Sequence, residues 1–168
     1  MELSKDKRVQ AARKHIRATD AETVADMLAA VAIPAPPYGE TARAAWIAGK
    51  LRGYGLHVSV DESGNVIAER DPAAADDPVI VAAHLDTIFP AETVIEIRRH
   101  GNRIAAPGIA DNCRGLAGML AVARALAHGG IETEKPIVYV ATVGEEGVGD
   151  LRGVKHLFRP GSRFRNCH

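Results

Sequence analysis

Apolar positions in several parts of the chain recur every three or four residues, which is typical of amphipathic helices. This spacing predicts helices at about residues 9–16, 20–32, 40–54, 116–126 and 151–158. Thr19 and Glu22 have the spacing of a capping box at the start of the second helix. The prolines between Ile33 and Pro37 end that helix, because proline lacks the backbone donor and disfavours helical geometry before it.

Short apolar runs alternate with these helices and predict strands. Two hairpins are predicted, one from 56–60 and 66–68 and one from 94–98 and 103–105, and two wholly apolar strands at 79–83 and 137–143. An uninterrupted apolar run is typical of a strand that is covered on both faces. The Ala, Asp and Pro residues of 71–78 predict a loop. The alternation predicts an α/β fold, a mixed sheet sandwiched between helices.

Composition excludes several classes of protein. The chain has 168 residues, enough for one domain, and 21 basic residues balance 21 acidic ones, so the charge pattern indicates no nucleic-acid or membrane partner. Residues 1–8 lack the apolar core of a signal peptide, and no apolar run is long enough for a membrane span. Cys113 and Cys167 form no disulfide framework. We therefore expect a cytoplasmic protein.

Candidate chemistry lies where the two apolar strands end. His84 and Asp86 follow the first strand, and their spacing of two places both on one face. A metal-binding imidazole usually donates its other N–H to a carboxylate, the role that Asp86 could fill. The alternative is a strand-end histidine that is capped by an aspartate, without a metal.

Three further carboxylates complete the candidate site. Asp111 precedes the predicted helix at 116–126, where it could cap the helix or bridge two cations. Glu145 and Glu146 follow the second apolar strand. One of them could bind a metal while the other accepts a proton from the metal's water, although a solvated acidic loop has the same composition. Ligands of open α/β sheets bind at the carboxyl ends of strands, which favours a metal site here.

Three segments carry a family resemblance: residues 83–87 (Ala-His-Leu-Asp-Thr), 108–115 (Gly-Ile-Ala-Asp-Asn-Cys-Arg-Gly) and 144–147 (Gly-Glu-Glu-Gly). Together they resemble the M20 clan of zinc peptidases and deacylases. Residues 145–155 resemble its tripeptide-aminopeptidase-like branch. The resemblance covers residues 19 to 158.

The resemblance implies a role for each candidate residue. His84, Asp111 and Glu146 are metal ligands of a two-zinc site, with Asp111 bridging the ions. Glu145 is the catalytic general base and then acid, and Asp86 orients His84. The peptide bond after Asp111 is cis or otherwise strained. Cobalt or manganese could replace zinc, the substrate is a small peptide or an N-acyl amino acid, and a homodimer is possible.

The chain also departs from the family pattern. Members of the family continue further, with another acidic ligand, a lid or dimerisation domain and a late histidine ligand, for which His168 would be a doubtful substitute. The resemblance therefore implies that residues 1–168 are the N-terminal portion of one metallohydrolase catalytic domain, inactive alone. The alternatives are a non-catalytic metal-binding remnant and an acyl-amino-acid deacylase. A nucleotide-binding domain is disfavoured, because the chain has no phosphate-binding loop.

Overall fold

The computed structural model describes residues 3–72, 77–165 and 167, so His168 and part of the loop predicted at 71–78 lie outside the described residues. Within them the chain forms five α-helices: α1 (Lys7–Ala18), α2 (Asp20–Ala32), α3 (Thr41–Gly53), α4 (Arg114–His128) and α5 (Arg152–Leu157). The described strands are β1 (His57–Val60), β2 (Val66–Glu69), β3 (Val79–His84), β4 (Arg98–His100), β5 (Arg103–Ala105) and β6 (Ile137–Thr142). None of the described helices is both long and apolar enough to cross a bilayer.

The main sheet is mixed and has the strand order β1-β2-β6-β3. The β1–β2 and β2–β6 pairs are antiparallel, whereas β3 and β6 run parallel, with His84 opposite Thr142. Parallel neighbours end at the same edge of a sheet. The residues that follow β3 and β6 are therefore brought together, as the sequence predicted. Strands β4 and β5 form a separate antiparallel pair.

Helices cover both faces of the sheet, which confirms the predicted fold class. One face packs against α3 and α4, through a core that includes Ile47, Leu51, Val66, Leu116, Leu120, Tyr139 and Ala141. The other face packs against α5, through Ile67, Val138, Val140, Leu157 and Phe164. Successive residues of β2 and β6 alternate between these two cores, as the pleat of a strand requires.

The prediction that β3 is covered on both faces is wrong. Among the described strands β3 lies at the edge of the main sheet, and Val79 and Ala82 are exposed. The apolar run of β6 is the central one, and five of its six residues are buried. Both runs are equally apolar, so hydropathy alone could not separate the central strand from the edge strand.

Two local predictions are also corrected. The second hairpin begins at Arg98 rather than Val94, because residues 94–97 pair with no described strand. Thr19 does precede α2, but its hydroxyl donates to the His15 carbonyl at 2.8 Å instead of capping α2. Helix α1 runs directly up to Thr19, so its last turn offers the hydroxyl a nearer acceptor.

Helix α1 packs on α4 through two histidines. The rings of His15 and His128 stack 3.9 Å apart at an interplanar angle of 14°. Burial, followed by the charges of His128 and Arg124, lowers the pKa of His15, and only Glu22 opposes these effects. The folded protein therefore takes up a proton at His15 less readily than the unfolded chain does.

Because the pKa of His15 is lowered in the folded protein, we expect the free energy of unfolding to decrease as the pH falls. Between the unfolded histidine pKa of about 6.5 and the lower folded pKa of His15, the unfolded chain binds more protons, so acidification favours unfolding. Urea unfolding at pH 8, 7, 6 and 5 should show a shallower loss of stability in His15→Gln than in the wild type. His57→Gln, an exposed site on β1, should keep the wild-type slope. Equal slopes in all three proteins would refute the assignment.

Candidate metal centre

Asp86 is the buried centre of the candidate site. Its side chain is 0% exposed, and it follows β3 by two residues. The Nδ1 atom of His84 lies 3.5 Å from the Asp86 Oδ1 atom and 3.1 Å from its backbone oxygen. The backbone N–H groups of Glu145 and Glu146 donate to the same carboxylate at 3.0 and 2.8 Å. Asp86 therefore joins the ends of β3 and β6 across the sheet edge.

These contacts explain the charge state of Asp86. Burial alone would raise its pKa, but the hydrogen bonds from His84 and from the two backbone N–H groups outweigh burial and lower the pKa. A carboxylate that accepts several hydrogen bonds remains ionised even when it is buried. Asp86 is thus a fixed negative charge behind His84.

His84 lies between two carboxylates. Its Nε2 atom is 2.9 Å from the Asp111 Oδ1 atom, on the side of the ring away from Nδ1. Burial opposes the charged ring, but the hydrogen bonds to Asp86 and Asp111 outweigh it and raise the pKa of His84 to about 9. At neutral pH the His84 ring is therefore protonated on both nitrogens in the absence of a metal. A metal bound through Nε2 would have to displace the proton on that nitrogen.

The segment before α4 turns the Asp111 carboxylate towards His84. Gly108 has φ 71°, in the left-handed region that glycine adopts without steric cost. The Asp111–Asn112 peptide bond is cis, as the family resemblance implied. Asn112 accepts the Gly115 N–H at 3.1 Å, so Asn112 and not Asp111 bonds the backbone at the start of α4. The Asp111 side chain remains 74% exposed and points to the site.

Glu145 and Glu146 complete the cluster. One ligand atom from each of His84, Glu145 and Glu146 lies within 4.8 Å of the others, and the Glu145 carboxylate is 3.9 Å from His84 Nε2. Burial, followed by the negative charges of Asp111 and Glu145, raises the pKa of Glu146. Asp111 contacts His84 but is not a member of this three-residue group.

The donor set fits a divalent cation. Imidazole nitrogen and carboxylate oxygen are common zinc ligands, and the three residues of the group offer one imidazole and two carboxylates. A cation would also relieve the mutual repulsion of these carboxylates, and Asp86 is the carboxylate that usually backs a metal-bound histidine.

Three further charged residues lie beside this site, and no sequence motif pointed to them. Arg43 is buried and donates to the Leu85 carbonyl at 2.6 Å and, with its other nitrogens, to the Ile33 carbonyl. Glu40 and Arg152 bond to each other beside Gly144. Charged residues near a helix start usually face solvent, and no spacing rule indicated that these would turn inwards.

Comparisons with known proteins give the family of the chain. The model of peptidase family M28 matches residues 65–166. This is more than half of the chain, and the chain therefore belongs to peptidase family M28. A search of curated proteins returns no match.

Solved structures support the resemblance to the tripeptide-aminopeptidase-like branch. Aminopeptidase PepT from Bacillus cereus is 26% identical over 76% of this chain and 38% of its own, with a TM-score of 0.64. A hydantoinase/carbamoylase family amidase from Burkholderia ambifaria is 30% identical over 76% of this chain and 30% of its own, with a TM-score of 0.57. A tripeptidase from Staphylococcus aureus has the same fold, at 24% identity over 73% of this chain and 36% of its own, with a TM-score of 0.63. This chain thus spans about a third of the length of these proteins.

Proposed function

We propose that the protein is a metal-dependent hydrolase of peptide or amide bonds, of the aminopeptidase type. The observation that carries this proposal is the convergence of His84, Glu145 and Glu146, with the buried Asp86 behind the histidine. The family membership and the peptidase and amidase structures support it. Because the chain spans about a third of those proteins, we further propose that it forms part of a catalytic domain.

Each residue has a proposed role. His84, Asp111 and Glu146 would hold the zinc ions. When bound, these ions supply the polarisation that makes water a nucleophile and stabilises charge on the amide oxygen. Asp86 fixes the orientation of the His84 ring.

Glu145 is the proposed general base. Its carboxylate is 41% exposed, so it can reach a water at the mouth of the site, and it lies 3.9 Å from His84 Nε2. It would take a proton from the attacking water and deliver it to the leaving amine. The substrate class that fits this chemistry is a small peptide. An N-acyl amino acid is the second candidate, because it carries an amide bond and one of the similar structures, from Burkholderia ambifaria, is of an amidase.

Metal binding is the first test of this proposal. Calorimetric titration with zinc chloride should show binding to the wild type and a loss of affinity of at least about 10²-fold in His84→Ala, since even a partner behind a metal ligand is worth about 10–100-fold. His100→Ala, an exposed histidine on β4, is the matched control and should bind as the wild type does. Equal affinity in all three proteins would remove His84 from the site.

Hydrolysis of a substrate panel separates the proposed enzyme from a non-catalytic metal-binding protein. Dipeptides, tripeptides and N-acyl amino acids should be tested in a form of the protein that is loaded with zinc, cobalt or manganese. Activity that a chelator removes and the metal restores supports the hydrolase. Metal binding without turnover of any substrate in the panel would favour the non-catalytic alternative.

A further inference from the structure

Three consecutive backbone N–H groups of the loop after β6 each donate to a buried carboxylate. Glu145 and Glu146 donate to Asp86, as described above, and Gly144 donates to the Glu40 Oε1 atom at 3.1 Å. Glu40 lies directly before α3, 104 residues away in sequence. The loop that carries both glutamates is therefore fixed from two sides by two carboxylates.

Glu40 is itself held in place by Arg152. The Arg152 Nη2 atom lies 2.9 Å from Glu40 Oε2, and the Glu40 side chain is only 4% exposed. The Arg152 guanidinium also stacks over the ring of Tyr38 at 4.4 Å, and the Tyr38 hydroxyl donates to the Val148 carbonyl at 3.3 Å. The second terminal nitrogen, Nη1, is buried without a hydrogen-bond partner among the described residues. Glu40 thus provides the hydrogen-bond acceptor that orients this guanidinium.

The loop packs closely on the Glu40–Arg152 pair. A Cβ atom on Gly144 would overlap the Arg152 guanidinium, and one on Gly149 would lie 2.5–2.7 Å from the backbone of Gly144. The backbone N–H of Arg152 in turn donates to the Gly144 carbonyl at 3.2 Å. Gly144 is therefore bonded through its N–H to Glu40 and through its carbonyl to the Arg152 N–H, with no room for a side chain.

We propose that Glu40 is a positioning residue for Glu145 and Glu146, acting through the Gly144 N–H and through Arg152. The expected consequence for hydrolysis rests on the proposed function, but the positioning itself does not. Among the described residues, the polar partners of the Glu40 side chain are the Gly144 N–H and Arg152, and not His84, Glu145 or Glu146. Removal of the Glu40 carboxylate should leave His84, Glu145 and Glu146 in the chain but change the orientation of the two glutamates relative to His84.

Amide hydrogen exchange of this chain tests the positioning directly. In Glu40→Gln, the exchange protection of Gly144 should fall at least about tenfold, because the neutral amide has one acceptor oxygen for two donors, the Gly144 N–H and Arg152 Nη2. Protection of Glu145 and Glu146 should fall with it, although their own acceptor, Asp86, is intact. Glu62→Gln, the same change at an exposed glutamate, should leave all three amides unchanged. Loss of protection at Gly144 alone, or at none of the three, would overturn the proposal.

A second variant tests the proposal if Glu40→Gln does not fold. Arg152→Lys keeps the positive charge beside Glu40 but not the planar group that stacks on Tyr38, and it should lower the protection of the same amides by a smaller factor. If Glu40→Gln does not fold, the Arg152→Lys result decides. Unchanged protection of all three amides in a folded Arg152→Lys would then overturn the proposal.

Kinetics separate this proposal from the proposed function. In a form that hydrolyses peptides, Glu40→Gln should lower kcat by about 10–100-fold, the usual effect of removing support behind a site, with little change in KM. Wild-type kcat in this variant would overturn the positioning role and leave the hydrolase intact. A wild type without metal binding or activity would overturn the proposed function, while the exchange measurement would still decide the role of Glu40.

Discussion

Glu145→Gln is expected to lower the rate of peptide hydrolysis by about 10²–10⁴-fold, which is the typical contribution of a general base. The amide keeps the size of the side chain but cannot accept the proton of the attacking water. Metal content should remain near that of the wild type, because His84, Asp111 and Glu146 are unchanged. The measurement is kcat beside metal content, in a form of the protein that hydrolyses peptides.

Glu146→Gln is the matched control for that experiment. A neutral amide is a poorer ligand than a carboxylate, so Glu146→Gln should weaken metal binding. Its activity should fall because the metal is lost. If Glu145→Gln loses metal while Glu146→Gln keeps it, the two roles must be exchanged. If neither change lowers the rate of an active protein, the proposed mechanism is wrong.

The sequence could predict which residues lie together in the candidate site, because polar residues follow directly after its apolar strands. The runs that became β3 and β6 are apolar up to the point where His84 and Glu145 follow, and parallel pairing brings those two ends together. This part of the site depends on local hydropathy and one rule of sheet geometry. The motif around Asp111 needed the family resemblance, since by itself an aspartate before a helix indicates a cap.

The parts that could not be predicted depend on tertiary contacts. The edge position of β3 is set by which strands pair, and an apolar run has the same hydropathy at the edge as in the centre. Glu40 and Arg152 are 112 residues apart, and the buried Glu40 carboxylate has the Arg152 guanidinium, 23% exposed, as its charge partner. Burial of a charge is favourable only when its partner is present, and one sequence does not reveal such a distant pairing.

Asp86→Asn is expected to damage both stability and metal binding. The carboxylate accepts two backbone N–H groups and faces His84 Nδ1, whereas an amide offers one acceptor and turns its NH₂ group towards a donor. At least one buried N–H is left unpaired, so the free energy of unfolding should fall by about 1–3 kcal/mol. The affinity for zinc should also fall by about 10–100-fold, because the His84 ring loses the carboxylate that orients it.

Asp111→Asn is the control that separates the effect on metal affinity from the effect on stability. The Asp111 side chain is 74% exposed, so this variant should lose metal affinity while its urea unfolding midpoint stays close to that of the wild type. Asp86→Asn should lower both quantities. If Asp86→Asn unfolds at the wild-type urea concentration, the two hydrogen bonds from Glu145 and Glu146 do not stabilise the join between β3 and β6. If it also binds zinc as the wild type does, the Asp86 carboxylate has no part in the metal site, and the backbone oxygen of residue 86 and Asp111 must set the orientation of His84.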